Sequence, residues 1–174
     1  APQMPTNLSV VPGASRTVVF WDALTTGKAQ EARYSPTGAG SWTSVSVSAA
    51  DRGAELTGLT AGATYDFEVR VVDATYGVSN WASITFTNTA IVAGTGALSA
   101  FAANGGTANF FVSATQPASA AAVEIEFVSV ASGAGVSWSG STKVKTKPGG
   151  AATATISSPT GARDVYARSI AVNG

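Results

Sequence analysis

The 174-residue sequence contains no cysteine and no histidine. Without these residues the protein has no thiolate nucleophile, no Ser–His pair, no imidazole base and no ordinary zinc site. Disulfide bonds are excluded for the same reason. We therefore expect neither a nucleophilic triad nor a histidine- or cysteine-based metal centre.

Charge is scarce and long apolar runs are absent. Charged residues make up 11% of the chain, against roughly 25% in average proteins. Ten basic and ten acidic residues cancel, so no net field attracts the chain to nucleic acid or to an anionic membrane. No segment approaches the roughly 18 consecutive apolar residues of a membrane span. We expect no nucleic-acid partner and no membrane insertion.

The carboxylates do not form a recognisable catalytic pair. Glu124 and Glu126 lie two residues apart on one face of a predicted strand, and Asp66 and Glu68 repeat this arrangement. Such pairs are expected to project together into solvent, whereas a glycosidase needs its carboxylates on opposite sides of the bond. A calcium loop, a Gly-x-Ser-x-Gly motif and a phosphate-binding loop are all missing. We predict a protein that is not an enzyme, without metal or cofactor.

The sequence does contain short alternating segments separated by turn residues, a pattern typical of β-sandwiches. The first half predicts seven strands within residues 7–13, 16–23, 29–36, 41–48, 54–59, 64–74 and 81–89. In the longest of these, Tyr65, Phe67 and Val69 alternate with charged residues. This alternation predicts a strand with a buried face and a solvated face.

The motif "LTGLTAGATYDFEVRV", Leu56 to Val71, carries a family resemblance. Together with Pro5, Leu8, Trp21 and the later hairpin "YGVSNWASITFT", it resembles a fibronectin type III domain. The resemblance extends over about 90 residues, and it implies an immunoglobulin-like sandwich of seven strands.

The resemblance also implies roles for particular residues. Leu59, Gly62 and Tyr65 occupy the positions of the family's tyrosine corner, in which the tyrosine ring packs in the core and its hydroxyl bonds to the chain a few residues upstream. Ala61 stands where the family often has proline. Trp21 is assigned to the core by the same match, and the alternation adds Phe67 and Val69.

The second half predicts a divergent repeat of the same sandwich, with domains at residues 1–90 and 91–174. Strands are predicted within 91–101, 107–117, 120–130, 135–146, 151–158 and 163–174, with Phe111 or Phe110 in place of the family tryptophan. One strand fewer is expected than in the first unit. Three explanations stay open: a fragment of a longer protein, a sheet edge covered by another subunit, or a separate six-stranded topology.

The remaining aromatic residues are candidates for contacts. Trp42, Tyr76 and Trp138 have no core role by the family match, and packing or a protein interface is favoured over stacking on glycans. Trp81 is expected to cap the sandwich edge. Alternating lysines between residues 143 and 147 predict a solvated or edge-protecting face.

All these features predict an all-β protein of two tandem immunoglobulin-like sandwiches. Both units are rich in small residues and free of cysteine, and in this composition they resemble domains of bacteriophage tail and capsid-surface proteins. That resemblance implies a structural or adhesive module on the virion, with other tail or virion proteins and further copies as partners, and contact with host-surface glycans. The alternatives are an accessory module of a secreted bacterial polysaccharide-degrading enzyme and a segment of a bacterial surface adhesin, located outside the cell or on its surface.

Overall fold

The computed structural model describes residues 1–23, 27–90, 97–105, 109–118, 121–157 and 162–173. Within these ranges all regular structure is β-strand. The chain divides into two compact units, Ala1–Val92 and Ala93–Val172. Each unit is a β-sandwich, which confirms the predicted fold class. The described ranges contain no helix that is long and apolar enough to cross a membrane.

The described residues of the first unit form eight antiparallel strands. One sheet has the order β1-β2-β5, and the other has β4-β3-β6, with β7 and β8 both paired to the second edge of β6. The strands are β1 Thr6–Val11, β2 Arg16–Asp22, β3 Ala29–Pro36, β4 Thr43–Val45, β5 Gly53–Thr57, β6 Thr64–Asp73, β7 Gly77–Val78 and β8 Ala82–Thr87.

The core of the first unit lies between these two sheets. Strand β6 supplies every second residue to it, because alternate side chains of a strand point to opposite faces. The ring of Trp21 stacks on Phe67 with 6.0 Å between centroids, and Val69 is fully buried. The indole N–H of Trp21 donates to Gln30 Oε1 at 2.7 Å, so the polar atom of this buried ring is satisfied.

The turn before β6 brings Leu59, Gly62 and Tyr65 together. Gly62 adopts a φ of 76°, which a residue with a side chain rarely tolerates. The buried ring of Tyr65 directs its hydroxyl back along the chain, where it accepts a hydrogen bond from the Thr60 N–H at 2.9 Å. Leu59 packs partly buried against the core. The turn is thus tied to the strand that follows it.

The second unit contains six strands among its described residues. Their sheets have the orders β9-β10-β13 and β12-β11-β14, both antiparallel. The strands are β9 Ser99–Gly105, β10 Asn109–Thr115, β11 Ala122–Ala131, β12 Thr142–Lys145, β13 Ala151–Ser157 and β14 Arg163–Ala171. Between the sheets lies a core of Val112, Ala114, Ile125, Phe127 and Ala152.

The expectation that Phe111 replaces the family tryptophan in this core is wrong. Phe111 is 62% exposed, whereas Val112 and Ala114 are buried. Since neighbours along a strand face opposite sides, burial of Val112 and Ala114 turns Phe111 outward. The side chain of Phe110, the alternative candidate, lies outside the described residues.

Replacement of Tyr65 by phenylalanine tests how much the corner stabilises the first unit. Tyr65→Phe keeps the ring and leaves the Thr60 N–H without its acceptor, so we expect the free energy of unfolding to fall by about 1 kcal/mol. Chemical denaturation measures this loss. Tyr34→Phe is the matched control, because the Tyr34 hydroxyl has no hydrogen-bond partner in the described part of the chain. Equal effects of the two substitutions would contradict a stabilising role for the corner bond.

Candidate functional site

The outer face of the β3–β6 pair carries four charged side chains in a cross-strand pattern. Register places Glu31 opposite Arg70 and Arg33 opposite Glu68. Both pairs form ion pairs with N–O distances of 2.6 Å. Opposite charges directly across a strand pair attract, and exposed pairs of this kind contribute up to about 1 kcal/mol each. The positive charge of this face is therefore neutralised by its own glutamates.

Two tryptophans stack on the same arginines. The guanidinium of Arg33 lies 4.3 Å from the Trp42 ring centroid and 4.1 Å from that of Trp81, and Arg70 lies 4.3 Å from Trp81. We call Trp42, Arg33, Trp81 and Arg70 the tryptophan–arginine ladder. The expectation that Trp81 caps the sandwich edge is wrong, because its ring stacks on guanidinium groups that belong to the face of the sheet.

The ladder changes what Trp42 can bind. Trp42 remains 38% exposed, but one face of its ring is covered by Arg33. Trp81 has two guanidinium groups within 4.3 Å of its centroid. Stacking on a sugar requires an open aromatic face, and in this ladder the arginines hold ring faces through cation–π contacts. The geometry suits a rigid polar surface better than a glycan platform.

The second unit corrects the prediction for Glu124 and Glu126. Both were expected in solvent, yet they are only 5% and 2% exposed. They lie on β11, the central strand of its sheet, between β12 and β14. Lys145 Nζ lies 3.9 Å from Glu124, and Arg168 Nε donates to Glu126 at 2.6 Å. Cationic side chains from both neighbouring strands thus cover this carboxylate pair.

Trp138 completes the cover over Glu126. Its ring stacks on the Arg168 guanidinium at 4.2 Å, and Arg168 in turn binds the carboxylate. Burial by itself raises the pKa of Glu126, but hydrogen bonds from Ser141 and Arg168 outweigh this effect and hold the pKa below its ordinary value. A general acid needs a raised pKa. Glu126 has the opposite property and acts as a fixed anion that orients Arg168.

Tyr76 lies at a hairpin tip, the turn from Asp73 to Val78 between β6 and β7. Its side chain is 71% exposed. Asp73 Oδ1 accepts hydrogen bonds from the N–H groups of Thr75 and Tyr76, and Lys28 Nζ lies 2.7 Å from Asp73 Oδ2. The bond from Lys28, followed by the two backbone bonds, lowers the pKa of Asp73 to about 2. An aromatic side chain is therefore presented on a turn that stays fixed at neutral pH.

The three predicted contact residues belong to three separate elements. Trp42 is part of the ladder, Tyr76 stands at the hairpin tip, and Trp138 packs on Arg168 in the second unit. The sequence interpretation missed Arg33 as the partner of Trp42, Arg168 as the partner of Trp138, and Arg70 as a partner of Trp81. The sequence could have indicated them, because each of these arginines lies at an outward-facing position of an alternating strand.

No metal-ligand cluster appears among the described residues, where no three acidic side chains converge. No protein-family profile matches the chain, and no curated protein sequence matches it. Solved structures do resemble it. The fibronectin type III domain of human collagen alpha-1(XX) is 29% identical, covering 54% of this chain and 90% of that domain with a TM-score of 0.47.

Two other structures extend over almost the whole chain. A two-domain fibronectin type III segment of chicken tenascin is 16% identical, covering 99% of this chain and 93% of that one with a TM-score of 0.43. The chicken interferon gamma receptor alpha chain is 12% identical, covering 99% and 100% with a TM-score of 0.46. Independently of these scores, strand order and the Tyr65 turn define the first unit. It has a fibronectin type III-like fold.

The Lys28–Asp73 pair predicts a specific acid sensitivity. The folded pKa of Asp73, about 2, lies below the unfolded value of about 3.9. Its contribution to the free energy of unfolding is therefore present above pH 4 and is lost as the pH falls towards 2. Asp73→Asn keeps an oxygen for the two backbone donors. Its urea midpoint should be lower than that of the wild type at pH 7, and the two midpoints should converge near pH 2.

The matched control removes the same ion pair from its other side. Lys28→Met should lower the free energy of unfolding over the same pH range as Asp73→Asn, because both substitutions delete the same ion pair. Urea denaturation at several pH values between 2 and 7 gives the midpoints of the wild type, Asp73→Asn and Lys28→Met. A difference between wild type and Asp73→Asn that is constant over this range would contradict the assignment.

Removal of Arg168 tests the charge on Glu126. Arg168→Ala leaves a buried carboxylate without its cation, and we expect a loss of roughly 1.5–3 kcal/mol in the free energy of unfolding at pH 7. Protonation of Glu126 removes the buried charge, so the loss should shrink as the pH falls towards and below about 4.3. The double variant Arg168→Ala/Glu126→Gln should recover stability at pH 7. A single variant as stable as the wild type would refute the pairing.

Proposed function

We propose that this chain is a non-catalytic structural module that works through protein–protein contacts in a bacteriophage particle, in the tail or on the virion surface. Its partners are other particle proteins and further copies of itself. The observation that carries the contact role is the hairpin tip, where Tyr76 is 71% exposed on a turn fixed by Asp73. A rigid, exposed aromatic side chain gives a large contact area at low entropic cost.

The charged groups support the same proposal. The glutamates and arginines of β3 and β6 neutralise one another, and the Glu126 carboxylate binds Arg168. Such groups rigidify sheet faces and leave turns and strand edges as the places where partners bind. Equal numbers of acidic and basic residues agree with specific contacts rather than attraction by net charge.

Particle association is the direct test. Particles are purified by density-gradient centrifugation from the organism that carries the gene, and the chain is quantified by mass spectrometry relative to the major capsid protein. We expect a fixed stoichiometry and neighbouring genes for capsid and tail proteins. A chain that is absent from particles, or that is retained on insoluble chitin or cellulose beside a secreted hydrolase, would overturn the proposal.

The contact role of the hairpin tip has its own readout. A strain lacking the gene is complemented with Tyr76→Ala, which removes the exposed ring, and we expect less of the chain in purified particles. Thr75→Ala is the matched control, because Thr75 is exposed beside Tyr76 and its N–H bond to Asp73 is retained. Equal incorporation of both variants would show that Tyr76 is not the contact.

A further inference from the structure

Strand β3 extends beyond its edge partner β4. Pairing between the two strands reaches only as far as Ala32, whereas β3 begins at Ala29. After Val45, where β4 ends, the chain turns inward, and the Ser48 carbonyl accepts a hydrogen bond from the buried Gln30 side chain. This part of the chain is described without a gap. The first residues of β3 therefore have a free edge inside the first unit.

The register shows that the backbone of Gln30 points to this free edge. The Thr37 N–H donates to the Thr64 carbonyl at 3.0 Å, so this pair continues the β3–β6 ladder as a hydrogen-bonded pair. Hydrogen-bonded pairs alternate along an antiparallel ladder. Odd-numbered residues of β3 therefore bond to β6, and even-numbered ones direct their N–H and C=O towards β4. Ala32 and Tyr34 pair with β4, but Gln30 has no backbone partner among the described residues.

A cleft with a volume of about 440 Å³ lies beside Gln30 on the outer face of the sheet. It is lined by residues 30–33 of β3, residues 44–47, Arg70 and Trp81. Its volume is within the range of about 300–1,000 Å³ that is usual for ligand sites. Gln30 is only 8% exposed, and backbone groups shielded from water are costly to leave unpaired. The cleft therefore favours a ligand that supplies both a donor and an acceptor.

The side chain of Gln30 holds these backbone groups in place. Its Oε1 accepts from the Trp21 indole N–H at 2.7 Å, and its Nε2 donates to the carbonyls of Ser48 and Asp51 at 2.8 and 3.1 Å. A group that is fixed before binding loses little conformational entropy when a ligand binds. The donor and the acceptor of Gln30 are thus preorganised.

We propose that the cleft binds a short extended peptide segment of a partner protein, which pairs with Gln30 as an added strand residue. In an extended chain the N–H and C=O of one residue point to the same side, so one peptide residue satisfies both groups of Gln30. The N–H and C=O of a single trans amide, such as the acetamide of an amino sugar, point in opposite directions and satisfy only one. The backbone geometry thus selects a peptide over a sugar.

The walls of the cleft specify the side chains of the segment. The side chain opposite Gln30 lies on the same, inward face, beside Val47, which packs against the core. A small side chain such as that of alanine fits there. The flanking side chains point to the outer face, where the two ion pairs between β3 and β6 neutralise their own charges. Uncharged flanking residues are therefore favoured.

Titration with the capped tripeptide acetyl-Thr-Ala-Thr-amide tests the site on the purified 174-residue chain. Its β-branched threonines favour an extended backbone. We expect saturable shifts of the amide signals of Gln30, Glu31 and Val47 in NMR spectra, with a dissociation constant of about 1–10 mM because few groups make contact. Absence of saturable shifts up to about 20 mM overturns the proposal.

Three control ligands test the pairing. N-methylation of the alanine removes the donor to the Gln30 carbonyl, and phenylalanine in its place is too large for the inward position. Each change should weaken binding at least about tenfold, and equal binding of either analogue overturns the pairing. N-acetylglucosamine should cause no saturable shift. A sugar that binds more tightly than the peptide would assign the cleft to a glycan and overturn the proposal.

Two matched variants locate the bound peptide. Ser46→Phe places a ring at the mouth of the cleft, and we expect binding at least about tenfold weaker. Ser41→Phe makes the same change at another exposed residue, which does not line the cleft, and should bind as the wild type does. Equal affinities of the two variants overturn the assignment to this cleft.

The inference goes beyond the proposed function, because it concerns a different surface from the hairpin tip and its test uses only the purified chain and a peptide. Binding of the peptide needs no particle, and association with particles needs no peptide. Failure of either proposal therefore leaves the other standing.

Discussion

The ten-residue strand β6 is hydrogen-bonded on both edges, to β3 on one side and to β7 and β8 on the other. The rest of the first unit depends on this pairing. Because the polar backbone groups of β6 are satisfied, alternate side chains can be fully apolar, and Phe67 and Val69 reach zero exposure. The Tyr65 turn fixes where β6 begins, and Asp73 organises the turn where it ends.

The few charged residues of the chain are concentrated where two strands can share them. Arg33 and Arg70 each bind a glutamate on the opposite strand and stack on tryptophan. In the second unit Arg168 does the same with Glu126 and Trp138. A guanidinium is suited to this double role, since its plane stacks on a ring while its edge donates hydrogen bonds. The same device stiffens the outer face of one sheet in each unit.

Sequence reasoning predicted the strands well because their signal is local. Period-two alternation in β6 and β11 needs only neighbouring residues, and the turn at Gly62 is set by the chain's own conformational preferences. Burial of Glu124 and Glu126 was not predictable in this way. It depends on cover from Trp138, which precedes β12, and from Arg168, which lies 42 residues further along the chain. The exposure of Phe111 likewise depends on which residues of β10 face the opposite sheet, and Val112 and Ala114 are the ones that do.

The two units differ in how their sheets end. In the first, β7 and β8 occupy the second edge of β6, and the tryptophan–arginine ladder covers the outer face. In the second, the equivalent edge of β14 has no described strand beside it, while Arg168 and Trp138 still cover the outer face. Side chains thus stiffen the outer face of this sheet as well. A rigid strand loses little conformational entropy when a partner binds, so side-chain contacts that stiffen a sheet lower the entropic cost of any contact that the sheet makes.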